Sequence, residues 1–198
     1  NAGGGLGIKY RVADEPSTIE QYAEVILEEV KSQASRLDFP IPRVMVEPGR
    51  SIVGNAGVTL YTVGTIKEIP GIRTYISVDG GMSDNLRPML YGAVYEVFLA
   101  NRMNDEKSAT VTIAGKHCET GDVLAKDVAL PTPRLGDLLT TLATGAYGYV
   151  MANNYNKQPR PAVVMVKDGR AEAIVARETY EDLLHLERPL KERLKTGE

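Results

Sequence analysis

The 198-residue sequence holds a single cysteine, Cys118, so no disulfide can form within the chain. That scarcity fits a reducing compartment, and the expectation is a cytoplasmic protein, or one of the plastid stroma in a plant. No apolar run approaches the ~20 residues that a membrane-crossing helix needs, so no membrane association is expected. Basic residues number 23 against 26 acidic ones and are scattered, so there is no positive field for nucleic acid. The two histidines, His117 and His185, and the one thiol show no metal-ligand spacing, and no metal site is expected. The first residue is Asn rather than Met, and a glycine cluster follows at once. The expectation from this opening is a piece of a longer protein.

The pattern of what is present changes along the chain. NAGGGLGI (1–8) reads as a strand end running into a tight glycine loop. Ser17 and Glu20 make a capping-box pattern. Ile19, Tyr22, Ala23, Ile26, Val30, Ala34 and Leu37 then recur at helical spacing. RVMVEPG (43–49) reads as a short buried strand, followed by a short helix. Strand, helix, strand, helix over 1–57 is the grammar of a parallel α/β unit. Beyond residue 57 the period shortens. Val58, Leu60, Thr62, Gly64 and Ile66 share one side of an alternating stretch. Residues 73–81, 94–103, 109–115 and 122–131 read as further strands. Asp168-Gly169 sits at the turn of a hairpin, and 179–187 reads as a terminal helix capped by a threonine. The fold class predicted is therefore α/β plus all-β, with 1–57 as one unit and 58–198 as a β-sandwich or barrel.

Five constellations carry chemistry. Gly3-Gly4-Gly5-Leu6-Gly7 would let backbone N–H groups crowd round an anion, though such loops are also ordinary βα punctuation. Glu47-Pro48-Gly49-Arg50 ends a predicted parallel strand, where α/β barrels place their sites. Its carboxylate could hold a proton on a ring nitrogen, and the guanidinium could clamp a carboxylate, while a plain Pro-Gly turn is the alternative. In Asp84-Asn85-Leu86-Arg87-Pro88-Met89-Leu90-Tyr91, one helical turn would put Arg87 and Tyr91 on one face. The alternative there is a loop with a solvated arginine. His117-Cys118-Glu119-Thr120-Gly121-Asp122 offers a thiol beside a carboxylate, as a proton donor or as an inert cysteine. Gly145-Ala146-Tyr147-Gly148-Tyr149 and the following Met151–Asn156 run suggest close backbone approach to a ligand, or a strand edge with core aromatics.

Taken in this order, GGGLGI, EPGRSIVGNAG, DNLRPMLY, CETGD and GAYGYVMANNYN resemble the diaminopimelate decarboxylases. These are pyridoxal-phosphate (PLP) enzymes of the alanine-racemase-like fold, related to ornithine and arginine decarboxylases. The resemblance runs almost the whole length. It implies that residues 1–57 are the last units of a PLP-binding (β/α)8 barrel, that 58–198 are the C-terminal β-domain, and that head-to-tail homodimers share their active sites. It implies that Gly5, Glu47, Pro48, Gly49, Arg50 and Tyr147 hold PLP, with Glu47 on the pyridine nitrogen. It implies that Arg50, Arg87, Tyr91, Glu119 and Tyr147 hold meso-diaminopimelate, the precursor of L-lysine, and that Cys118 is the acid, lent with Glu119 by the partner subunit. The family more often has Pro where Lys116 stands and Ser where Val150 stands, and neither change touches these roles. It further implies that the lysine carrying the cofactor lies upstream, since none of the ten lysines here has its context, and that these residues alone do not catalyse. Two arginines and a tyrosine suit a substrate with a distal carboxylate, which ornithine lacks. Other readings are a decarboxylase of ornithine, arginine or carboxynorspermidine, or a non-catalytic dimerisation and ligand-binding module.

Overall fold

In a computed structural model the described residues are 1–190. The first long element is helix α1, Ile19–Arg36. Its cap is Thr18 rather than Ser17: the Thr18 hydroxyl accepts from the Gln21 N–H, and the Gln21 side chain accepts from the Thr18 N–H. The box is thus T-I-E-Q, one residue later than S-T-I-E. Tyr22, Ile26, Val30 and Ala34, spaced by four, form its less exposed face together with Gln33, whereas Ile19, Ala23 and Leu37 are exposed. Residues 1–8 and 43–49 form no regular ladder. They are tied by two backbone bonds, Ala2 N–H to Met45 O (2.9 Å) and Glu47 N–H to Gly3 O (2.8 Å). Helix α2, Arg50–Val53, follows, with a 3-10 turn at Gly54–Ala56.

The sheet begins at Thr59. Its strands are β1 (Thr59–Ile69), β2 (Arg73–Val78), β3 (Val97–Leu99), β4 (Ala109–Ala114), β5 (Val123–Leu130) and β6 (Leu138–Thr141), in the order β3-β6-β1-β2-β4-β5. All neighbours are antiparallel except β2 and β4. The edge strands β3 and β5 also touch, so the sheet curls toward a closed barrel. Ile76, Leu99, Ile113, Leu130 and Leu139 are wholly enclosed in it. On β1 the buried face is Tyr61 and Val63; Val58, Leu60 and Ile66 lie on the opposite, exposed side. Strand β6 escaped the sequence reading, and the segment 94–103 yields only three residues of strand.

Helix α3, Arg87–Tyr91, sits in the long connection from β2 to β4, closed by Gly92 at φ 63°. The hairpin of β7 (Val163–Lys167) and β8 (Arg170–Val175) turns at Asp168 and Gly169, φ 51° and 73°, the conformation a type I′ turn needs. Helix α4, Tyr180–Leu184, is capped by Thr179 as expected but ends before 187.

The hairpin's base is fastened by Glu178. Its carboxylate accepts from the Arg160 guanidinium (2.7 Å), the Arg160 N–H (2.8 Å) and the Asn154 amide (2.7 Å). The Arg160 bond above all holds the Glu178 pKa down at about 2. A carboxylate whose pKa falls on folding stabilises above its ordinary value of 4.5, and loses that contribution as pH drops through about 2. Arg160 is 37% exposed, so water screens the pair; Glu178→Gln should cost about 1 kcal/mol. Thermal melts of wild type and variant should differ at pH 7 and converge as pH falls from 4.5 toward 2.

Candidate active site

Backbone geometry assembles the first part of the site. Gly3 and Gly5 have φ of 75° and 100°, the left-handed region that suits glycine. A Cβ built on Gly3, Gly5 or Gly49 would stand in open space, whereas one on Gly4 would strike the Glu47 carbonyl. The Tyr22 hydroxyl donates to Gly4 O (3.0 Å), and the Asn1 amide donates to Glu47 Oε1 (2.5 Å). The predicted glycine loop and the Glu47-Pro48-Gly49-Arg50 turn are therefore adjacent, with the Glu47 side chain exposed.

The second part centres on Arg87. Its guanidinium carbon lies 5.2 Å from the Tyr147 ring centroid, 5.5 Å from Tyr91 and 5.9 Å from Tyr10. Tyr10 in turn meets Tyr95 edge-on at 5.2 Å. Burial raises the Tyr95 phenol, and the positive charge of Arg87, with a smaller contribution from Arg50, pulls it back. Tyr147 is held at φ 62°, an uncommon conformation for a side-chain-bearing residue. Thus Arg87, Tyr91 and Tyr147 converge. Tyr10 and Tyr95 join them unannounced, since neither lies in a glycine-rich or charged motif.

This cluster has unsatisfied donors. The Nε atoms of Arg50 and Arg87 and the Tyr10 hydroxyl are buried without a hydrogen-bond partner. Among the described residues neither arginine has a carboxylate within ion-pair distance. Buried guanidinium donors left unpaired are costly, so the arrangement is suited to an incoming anion.

Cys118 and Glu119 are not bonded to it, although their turn packs through Gly121 against Met89 of α3. Among the described residues no hydrogen bond, ion pair or ring contact links them to Arg50, Arg87, Tyr91 or Tyr147. Cys118 is exposed on an irregular turn, and Glu119 is bonded to Tyr155 instead.

Residues 12–145 match the family described as pyridoxal-dependent decarboxylase, C-terminal sheet domain. The chain belongs to that family, whose curled sheet is the one seen here. It is 57% identical over 191 residues to the diaminopimelate decarboxylase of Bacillus subtilis (strain 168), covering 96% of this chain and 44% of that one. It is 58% identical over 184 residues to the diaminopimelate decarboxylase of Synechocystis, covering 93% and 39%. The solved diaminopimelate decarboxylase of M. jannaschii, in co-complex with L-lysine, superposes with a TM-score of 0.86 at 36% identity, covering 94% of this chain and 42% of that one. The chain thus spans less than half the length of these relatives. The family's cofactor is a pyridoxal group, and the residues here fit one. A Cβ at Gly3, Gly5 or Gly49 would meet no neighbouring atom, so backbone N–H groups there are open to a phosphate.

Proposed function

We propose that the protein containing this chain is a PLP-dependent decarboxylase of meso-2,6-diaminopimelate, yielding L-lysine and carbon dioxide. The observation that carries this reading is that Arg50 and Arg87 each bury an Nε with no hydrogen-bond partner, and that Arg87 does so amid the tyrosine cluster. A substrate with an amino-acid group at each end must be gripped at one end while the other reacts. Arg50, Arg87 and Tyr91 hold the distal carboxylate, and Glu119 takes the distal ammonium. Gly5, Pro48 and the N–H groups of Gly49 and Arg50 line the phosphate pocket. Glu47 keeps the ring nitrogen protonated, and Tyr147 packs between cofactor and substrate. When bound, PLP supplies a sink for the electron pair left as carbon dioxide departs. Cys118 then returns a proton to Cα.

Cys118 and Glu119 make no bond to the arginine cluster of their own chain, in keeping with a homodimer in which each chain lends this pair to the other's site. Residues 1–57 belong to the cofactor barrel on this reading, 58–198 to the β-domain, and the setting is cytoplasmic.

The test is carbon dioxide release by the full-length protein with PLP. The expected preference for meso-diaminopimelate over ornithine, in kcat/KM, is on the order of a thousandfold or more, because ornithine leaves the arginines unpaired. Comparable rates on both would sink the assignment.

A further inference from the structure

The run Asn153 to Lys157 has no part in the chemistry above, yet it forms a tight 3-10 turn against the loop that carries Cys118 and Glu119. The Asn156 side-chain oxygen accepts from the Cys118 N–H (3.0 Å). The Tyr155 hydroxyl donates to Glu119 Oε2 (3.2 Å), and Glu119 Oε1 accepts from the Gly121 N–H (3.2 Å). The Tyr155 ring is stacked on the His117 ring, with centroids 6.1 Å apart and planes 30° apart. His117 is itself fixed from beneath. Asp122 Oδ2 bonds its Nδ1 (2.8 Å) and its N–H (2.8 Å), while Oδ1 accepts from the Met82 N–H (2.7 Å). The side chains of His117 and Asp122 are almost wholly buried.

We propose that Asn156 and Tyr155 are positioning residues: Asn156 fixes the main chain that aims the Cys118 thiol, and Tyr155 fixes the Glu119 carboxylate. The inference rests on the reading that Cys118 and Glu119 act on substrate. Both sit on an irregular, solvent-facing turn, where an untethered side chain would populate several rotamers. The tethers are anchored in a buried polar pair, so the aim is inherited from the core rather than from the flexible loop. Asn156 stands at φ 53°, a conformation that asparagine tolerates better than most residues, so its amide is presented at little backbone cost. The hydrogen bond to Glu119, and then its charge, raise the pKa of the Tyr155 phenol, which therefore remains a donor.

The experiment uses the full-length protein with PLP and meso-diaminopimelate. Tyr155→Phe is expected to raise KM about tenfold with kcat near wild type, because a loosened Glu119 weakens binding of the distal ammonium throughout the reaction. Asn156→Gly, which keeps the left-handed backbone, is expected to lower kcat about tenfold with KM little changed, since a displaced acid harms only proton return. Asn156→Asp retains the acceptor for the Cys118 N–H and should restore kcat. A second measurement needs no turnover: the rate of Cys118 alkylation by iodoacetamide, followed by mass spectrometry of its peptide. It should change in Asn156→Gly and stay near wild type in Tyr155→Phe. Were wild type inactive on meso-diaminopimelate while alkylation still responded this way, the substrate assignment would fail and the tether would stand. If both variants kept wild-type kinetics and alkylation, or lost kcat, KM and melting temperature together without rescue by Asp, the positioning roles would be overturned.

Discussion

Arg87→Lys in the full-length protein is expected to lower kcat/KM for meso-diaminopimelate by about a hundredfold, the scale of losing a bidentate, charge-assisted carboxylate contact. The substitution keeps the positive charge, so the loss isolates shape. Arg87 is spread over three tyrosine rings at 5.2, 5.5 and 5.9 Å, and only a planar guanidinium can stack and still present a fork. An ammonium in the same place is a point charge that prefers water to ring faces. The cage also limits how far a shorter reach could be corrected, because Tyr91 is fixed one helical turn away and Tyr147 by its backbone. Most of the effect should fall on KM, since the clamp acts on the end of the substrate that does not react. Steady-state rates decide the matter, and a lysine variant within threefold of wild type would remove Arg87 from the clamp.

The second large effect expected is from Gly145→Ala. Gly145 lies directly against Gly57, and a Cβ there would run into the Val53 carbonyl oxygen and come within 2.8 Å of the Gly57 nitrogen. The obstacle is backbone, which cannot swing aside as a side-chain tip would. Two hydrogen bonds cross the same contact, Gly145 N–H to Gly54 O (3.0 Å) and Thr144 N–H to Gly57 O (2.9 Å). Moving the two segments apart to admit a methyl group would strain or break both. The expected cost is about 2–3 kcal/mol, in the range for inserting a methyl into a close-packed contact. Activity should fall as well, because this contact sets Tyr147 against the segment bearing Arg50. Gly64→Ala is the control: its Cβ would meet Ser77 at an ordinary 3.4 Å, and its melting temperature should stay near wild type. Equal melting of Gly145→Ala and wild type would show that the junction yields more easily than its geometry implies.

Much of this arrangement was legible in the residues themselves. The Asp168-Gly169 turn, the Thr179 cap and strands β2, β4 and β5 were readable because local chemistry and period agree there. The four-residue spacing of Arg87 and Tyr91 correctly implied a shared helical face. Strand β6 was not readable: Leu138-Leu139-Thr140-Thr141 is short and lacks alternation, because its last three residues are all buried between β1 and β3. On β1 the period was right, but both faces carry apolar residues, so alternation alone could not say whether Leu60 or Tyr61 faced inward. Ser17 and Thr18 are adjacent and both able to cap, and the choice fell to whichever could exchange bonds with the residue three further on. Tyr10 and Tyr95 reach Arg87 only through the folded path of the chain, which no local pattern encodes.

The parallel pairing of β2 with β4 has an evolutionary consequence. Parallel neighbours cannot be joined by a tight turn, so a long return path between them is compulsory. Residues 79–108 are that path. They carry Arg87, and before reaching β4 they also furnish β3, which seals the far edge of the sheet against β6. The segment proposed to grip the substrate is therefore not a detachable ornament. Lengthening or trimming it would disturb the edge strand along with the clamp. On the proposed reading, a change of preference for the substrate's distal end would fall to side-chain exchanges at fixed backbone positions, Arg87 and Tyr91 foremost, within a loop whose course the sheet dictates.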